Sequence, residues 1–165
     1  SMFLTRYTGK KNGNKICNSS FFPGQIIPVV IEPGKELIIS PDSLICFTDN
    51  LDIDGKFKIK GIMVSEGVRQ TQINNKSSES GMVWLNSYAG YQKKVLDKGK
   101  SIIVDNGLFL ASYSDIDFTL QKMGSVKNSI LSGEGFVMNF TGPCELLIQN
   151  KNYNSLVQYI AFQAK

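Results

Sequence analysis

Two stretches of this chain follow nearly the same pattern, which constrains its fold more than any other feature. GKELIISPDSLICFTDNLDID begins at Gly34, and GKSIIVDNGLFLASYSDIDFT begins at Gly99, 65 positions later. This offset aligns Lys35 with Lys100 and also aligns most of the apolar positions in between. Unrelated strands share part of such a pattern, but the flanking motifs also recur in order: PGQ and later AGY, then SEG and later GEG. The chain is therefore predicted to contain two copies of one β-rich unit.

The periodicity of the chain is that of β-strands, because short apolar runs alternate with turn residues at roughly eight- to twelve-residue spacing. The predicted strands are Ile26–Ile31, Glu36–Ser40, Ser43–Thr48, Lys56–Val64, Met82–Ser87, Ser101–Val104, Leu108–Tyr113, Ile116–Gln121, Phe136–Phe140 and Glu145–Gln149. The single predicted helix is short, is capped by Ser155 and runs through LVQYIAFQ near the C-terminus. The sequence thus predicts an all-β, antiparallel β-sandwich of two tandem repeats with a short C-terminal helix.

Length and composition favour one globular domain over residues 1–165. We predict repeat one at about 21–88, repeat two at about 89–152 and a C-terminal tail at 153–165. Hydrophobic residues make up 42% of the chain and charged residues 19%, as in ordinary folded domains. No apolar run approaches the ~20 residues of a transmembrane helix, so no transmembrane segment is expected.

The chain contains no histidine, and this narrows the chemistry that it can perform. Serine–histidine and cysteine–histidine nucleophile systems and histidine-bearing metal sites are excluded. Three cysteines form no C-x-x-C pair, which favours a reducing compartment, and Cys46 lies in the apolar run LICF and is predicted to be a core residue. We therefore expect no enzyme activity, no catalytic residues, no cofactor and no metal site. An enzyme that uses carboxylates or a lysine is the remaining alternative.

One predicted strand is basic, in a chain of net charge +4. Lys56, Lys58 and Lys60 alternate with apolar residues and would lie on one face of that strand. Such a face is typical of a nucleic-acid or anionic-lipid surface, but also of a solvated edge strand that lysines protect from aggregation. Tyr88 and Tyr91 follow Trp84, which is predicted to be buried. The candidate interaction surface is therefore Lys56, Lys58, Lys60, Tyr88 and Tyr91.

The runs FFPGQIIPVVIEPGKELIISPDSLIC, VWLNSYAG, GKSIIVDNGLFLASYSDIDF and SGEGFVMNFTGPCELLIQ resemble a known family. It is the altered inheritance of mitochondria protein 24 family, whose fold is similar to that of the trp RNA-binding attenuation protein. The resemblance implies mitochondrial localisation for eukaryotic members, with a role in inner-membrane organisation, and unassigned functions for bacterial relatives. It also implies a further β-repeat ahead of the first one seen here, and it brings no catalytic residues. Without the resemblance, a cytoplasmic location would be the expectation.

Together these features predict a non-enzymatic interaction or scaffold protein with protein partners, and a homo-oligomer because strand edges are left uncovered. The alternative is a nucleic-acid-binding module that uses the basic strand face. We expect nucleic-acid binding to be weak or absent, because three to five lysines neutralise fewer phosphates than the roughly six to ten contacted by tight binders.

The segment NLDIDG, Asn50 to Gly55, resembles the start of a calcium-binding loop. A calcium loop needs a bidentate carboxylate at its twelfth position, and that position is Gly61. We predict that calorimetric titration with calcium at ~1 mM, the weak end of natural loop sites, gives no saturable heat. Saturable binding that is abolished by Asp52→Ala together with Asp54→Ala would contradict this.

Overall fold

The computed structural model describes residues 4–20, 22–54, 70–113, 117–122 and 136–164. These residues form twelve β-strands, a 3-10 turn at Pro41–Ser43 and one α-helix. The elements are β1 (Gly24–Ile31), β2 (Glu36–Ile39), β3 (Leu44–Phe47), β4 (Asp52–Asp54), β5 (Thr71–Asn74), β6 (Gly81–Tyr88), β7 (Tyr91–Leu96), β8 (Ser101–Asp105), β9 (Phe109–Tyr113), β10 (Asp117–Lys122), β11 (Phe136–Thr141), β12 (Cys144–Gln149) and α1 (Tyr153–Gln163).

The strands form three antiparallel sheets. One sheet has the order β1-β6-β3, a second has the order β10-β11-β8, and a six-stranded sheet has the order β4-β5-β2-β9-β12-β7. The predicted all-β class, with antiparallel sheets and one short C-terminal helix, is confirmed.

Two hydrophobic clusters hold the sheets together. The first cluster includes Ile27 and Val29 of β1, Val83 and Leu85 of β6, and Leu37 of β2. It therefore joins the β1-β6-β3 sheet to one face of the six-stranded sheet. The second cluster joins the β10-β11-β8 sheet to the opposite face, and its members are Ile38, Val104, Phe109, Met138, Phe140 and Leu146.

Strand pairing follows the same order in the two halves of the chain. In the first half, β6 pairs with β1 and β3, and β5 pairs with β2 and β4. In the second half, β12 pairs with β7 and β9, and β11 pairs with β8 and β10. The β-bulges also match. In the β3–β6 pair the register changes between Leu44 and Cys46 of β3, and in the β9–β12 pair it changes between Phe109 and Ala111 of β9.

The turns that lead into β2 and β8 match as well. Gly34 and Gly99, 65 positions apart, both have a positive φ, of 72° and 78°. An L side chain resists this conformation, which explains why glycine stands at both positions. In both turns the residue after the glycine donates a backbone hydrogen bond of 3.0 Å to the carbonyl three residues earlier.

The two halves are connected where β2 pairs with β9 inside the six-stranded sheet. Leu37 lies opposite Tyr113, Ile38 opposite Ser112, and Ile39 opposite Ala111. Ile38 of the first half packs into the second cluster, and Ala111 of the second half packs into the first. Each core is therefore completed by residues from both halves, so the halves are expected to unfold together.

Several local predictions need correction. Strands β4, β5 and β7 were not predicted, because they are short or polar, while the predicted strand Lys56–Val64 lies outside the described residues. The helix begins at Tyr153 and is capped by Asn152, whose side chain accepts a hydrogen bond from the Asn154 amide, so Ser155 is not the cap.

Two residues that were predicted to lie in the core are only half-buried. Cys46 and Trp84 lie opposite each other on β3 and β6, on the face of that sheet away from the first cluster. Their apolar character indicated burial, but the strand alternation directs them outward.

We predict that Ile38→Ala lowers the free energy of unfolding by about 2–5 kcal/mol, because it removes a fully buried side chain that links the two halves. Chemical denaturation should show one cooperative transition for wild type and one for Ile38→Ala. Ile26→Ala is the matched control, since Ile26 is 45% exposed and its truncation should change stability by no more than about 0.5 kcal/mol. Equal effects of the two substitutions would contradict the shared-core description.

Candidate interaction site

A groove of about 240 Å³ lies between β1 and the face of the six-stranded sheet formed by β9, β12 and β7. β1 is the edge strand of its own sheet, so its outer side borders this space. The groove residues are Ile27, Pro28, Val29, Val30, Leu37, Tyr91, Lys93, Ala111, Ser112, Tyr113, Glu145 and Leu147.

The floor of the groove is apolar and its rim is polar. Ile27, Val29 and Leu37 on the floor belong to the first hydrophobic cluster. At the rim, Lys93 Nζ lies 2.7 Å from Glu145 Oε1. This pair forms because β7 and β12 are neighbours whose register sets Lys93 diagonally across from Glu145, a spacing that long side chains can bridge.

Tyr113 links the two sheets that border the groove. Its hydroxyl donates a 3.1 Å hydrogen bond to the Val30 carbonyl of β1. Burial raises the pKa of Tyr113 above its ordinary value, and the negative charge of Glu145 adds to the effect. The hydrogen bond with Glu145 raises the pKa of Lys93, so this amine stays protonated at neutral pH.

The charged groups of the groove are paired with each other. Its cation and anion satisfy each other, and the remaining surface is apolar or phenolic. Ser112 has a buried Oγ with no hydrogen-bond partner among the described residues. It pairs with Ile38 and Leu146, both in the second cluster, so its hydroxyl lies on the opposite face of β9. No group of metal-ligating side chains occurs in the described part of the chain.

A second feature is an aromatic cluster that anchors α1. The ring of Tyr153, the first residue of α1, lies 4.5 Å from that of Phe22 and 5.6 Å from that of Tyr88. Beyond this anchor α1 has no buried residue. Its exposed large apolar side chains are Leu156, Val157, Tyr159, Ile160 and Phe162.

The structure describes two of the five residues that were predicted as an interaction surface, Tyr88 and Tyr91. Lys56, Lys58 and Lys60 lie outside the described residues. Tyr88 is half-buried against Tyr153 in the aromatic cluster, whereas Tyr91 lines the groove. The predicted surface as a whole therefore remains a prediction.

Sequence reasoning missed Glu145, Tyr113 and the exposed face of α1. Glu145 and Tyr113 lie in segments whose sequence pattern predicts only a β-strand. The order of the strands in the sheet is what brings them to one groove. A signal for α1 was available, because LVQYIAFQ is an apolar helix without a charged residue.

The fold defines a class of antiparallel β-proteins in which three-stranded sheets pack on opposite faces of a central sheet. Residues 1–151 match the model of the family described as Mitochondrial biogenesis AIM24, and the chain belongs to that family. The sequence-based family assignment is thereby confirmed. α1 lies beyond the matched residues.

A solved structure of a Streptococcus pyogenes protein is similar, with a TM-score of 0.69 and 21% sequence identity. The similarity covers 88% of this chain and 62% of that protein, so this chain spans less than two thirds of its length. At this identity the likeness supports the fold alone. No curated protein matches the chain. Within the described ranges, no helix is both long and apolar enough to cross a bilayer.

We predict that Tyr113→Phe lowers the free energy of unfolding by about 0.5–1.5 kcal/mol at neutral pH, because it removes the hydrogen bond to Val30. The raised pKa favours the neutral phenol in the fold. The contribution of the Tyr113 phenol to the free energy of unfolding is therefore complete at pH values below its ordinary pKa of 10.0. This contribution is lost as the pH rises through the raised pKa of the folded state.

Denaturation curves collected from neutral to alkaline pH check this. The stability difference between wild type and Tyr113→Phe should shrink at alkaline pH. Tyr91→Phe is the control, because the Tyr91 hydroxyl makes no hydrogen bond to the described residues. A difference that is constant across the pH range would contradict the assignment.

Proposed function

We propose that this protein is a non-enzymatic interaction protein whose helix α1 binds an apolar groove on a partner protein. The observation that carries the proposal is the exposure of α1, where five large apolar side chains face solvent in an 11-residue helix. Exposed apolar surface of this extent is typical of an interaction site. The absence of histidine from the whole sequence also supports a binding role over catalysis.

The composition of α1 favours a protein partner over a lipid surface. Helices that lie in a membrane interface are rich in lysine and arginine on their polar face. The sequence of α1, YNSLVQYIAFQ, has neither. Leu156, Tyr159 and Ile160 share one face at the spacing by which helices bind grooves.

The compartment in which this interaction takes place is part of the proposal. Its description names mitochondrial biogenesis, but a structural relative comes from a bacterium, so membership by itself does not decide the compartment. We propose that the protein acts in mitochondria and that its partner serves inner-membrane organisation. Nucleic-acid binding is not proposed, because no described contact favours it and Lys93 is already paired with Glu145.

We also infer that the two halves are copies of one six-strand unit. The inference is supported by the matching strand pairings, by the bulge at the same place in β3 and β9, and by the positive-φ glycines at Gly34 and Gly99.

The test is affinity purification and rescue in the source organism with three proteins: wild type, Ile160→Lys and Gln158→Lys. Ile160→Lys places a charge on the proposed binding face, and Gln158→Lys places the same charge on the opposite side of α1. We expect wild type and Gln158→Lys to reach mitochondria, retain one stoichiometric partner and restore inner-membrane architecture in cells that lack the protein. Ile160→Lys should retain the partner roughly tenfold less well or worse, and should restore the inner-membrane architecture correspondingly poorly.

Three results would overturn the proposal. They are equal partner recovery with all three variants, localisation outside mitochondria, and Ile160-dependent binding to cardiolipin-containing vesicles without any protein partner. The last result would assign α1 to a membrane surface.

A further inference from the structure

We propose that the groove between β1 and the six-stranded sheet binds a small, neutral molecule with an apolar body of about two fused rings and one hydrogen-bond acceptor. An aromatic ketone is the simplest example. This inference goes beyond the proposed function, which concerns α1. It rests on the shape of the groove, on the blocked edge of β1 and on the pairing of the charges at the rim.

The groove has a short apolar floor on the six-stranded sheet. Lys93, Leu147 and Ala111 lie opposite one another on β7, β12 and β9. Ala111 has the smallest side chain of this row, and this leaves a hollow beside Leu147. At about 240 Å³ the groove exceeds the ~150 Å³ apolar cavity that holds a benzene molecule, so it has room for about two fused rings.

The edge of β1 is blocked against a strand from another polypeptide. A strand that pairs with this edge would need its N–H and C=O groups. Pro28 has no N–H, and the Val30 carbonyl already accepts the 3.1 Å hydrogen bond from the Tyr113 hydroxyl. This hydroxyl crosses the groove, so the space is a short pocket and not an extended channel. A small molecule fits these limits better than a peptide strand does.

The charges at the rim favour a neutral ligand. Lys93 Nζ and Glu145 Oε1 lie 2.7 Å apart, so their charges offset each other. Glu145 would repel a ligand anion, and Lys93 would repel a ligand cation. The ammonium group of Lys93 has further N–H donors beyond the one that bonds Glu145, and these can bond a carbonyl oxygen of the ligand. A neutral body with one acceptor therefore has the complementary chemistry.

Both walls of the groove belong to residues that the structure describes, and none of residues 4–20 lines it. The N-terminal segment instead contacts the β3 side of the β1-β6-β3 sheet, at the opposite edge from β1. Arg6 Nε lies 2.7 Å from Asp49 Oδ1, and Asn18 Nδ2 lies 3.4 Å from Cys46 Sγ. β3 is the counterpart of β9, through which the second half joins the first. A β-unit ahead of these residues would therefore join at β3 and leave the groove open.

The first test is a fluorescence titration of prodan, a neutral naphthalene ketone whose emission shifts to shorter wavelength in apolar surroundings. We expect a saturable shift with a Kd of about 1 mM or tighter, the affinity that ordinary ligand efficiency gives a molecule of this size. Acetonaphthalene, a smaller neutral ketone, should displace the probe. Naphthoate, its anionic counterpart of similar size, should bind roughly threefold or more weakly. No saturable shift, or equal displacement by the two competitors, would overturn the inference.

Three variants locate the probe. Leu147→Trp enlarges a side chain on the floor and should weaken prodan binding roughly tenfold or more, with an unchanged circular dichroism spectrum. Val95→Trp is the matched control at a 67% exposed position of β7 outside the groove, and it should bind prodan like wild type. Phe162→Lys changes a 75% exposed position on α1 and should also bind like wild type. Equal binding by the two tryptophan variants, or loss of binding in Phe162→Lys, would assign the probe elsewhere and overturn the inference.

Glu145→Gln provides a test that does not depend on tolerance of a tryptophan. It leaves Lys93 without its carboxylate, so the rim gains a net positive charge. Naphthoate should then bind roughly threefold or more tightly than it binds wild type, while the affinity for acetonaphthalene changes little. An unchanged ratio of the two affinities would contradict the placement of the ligand beside this ion pair. Partner binding by α1 enters none of these readouts, so failure here is distinguishable from failure of the proposed function.

Discussion

The structure depends on the backbone pairing of β2 with β9. This pairing joins β4-β5-β2 of the first half to β9-β12-β7 of the second half in one six-stranded sheet. Strand edges that meet in a sheet satisfy polar groups that would otherwise need water. The same joint moves Ile38 into the second core and Ala111 into the first. Each half therefore lacks a complete core of its own, and the interaction between halves is part of the fold.

The groove is a direct consequence of this joint. β1 belongs to the first half, whereas β7, β9 and β12 belong to the second, and the space between them exists only because the halves share a sheet. The Tyr113 hydroxyl crosses this space to the Val30 carbonyl of β1. The Lys93–Glu145 pair covers part of the rim. The groove is thus a joint between halves as much as a candidate binding surface.

Particular elements show how far sequence reasoning reached. The strands with strong apolar alternation, such as β6 and β12, were predicted to within one or two residues, and the family was identified from its motifs. The polar strand β7 was missed, because YQKKVL has few apolar residues and its order comes from pairing with β12. The helix cap was assigned to Ser155, since several polar residues before α1 satisfy the same capping chemistry and the structure uses Asn152.

The sequence alone determined the β class, the family and the absence of histidine chemistry, because these depend on residue identity and on periods of two along the chain. It also determined that two stretches 65 positions apart share one pattern. Only the tertiary structure decided that β2 of one half pairs with β9 of the other, because edge-to-edge pairing depends on which backbone edges are left open in three dimensions. For the same reason, only the fold could reveal that Ile38 is buried while Ile103, at the matching position, is exposed.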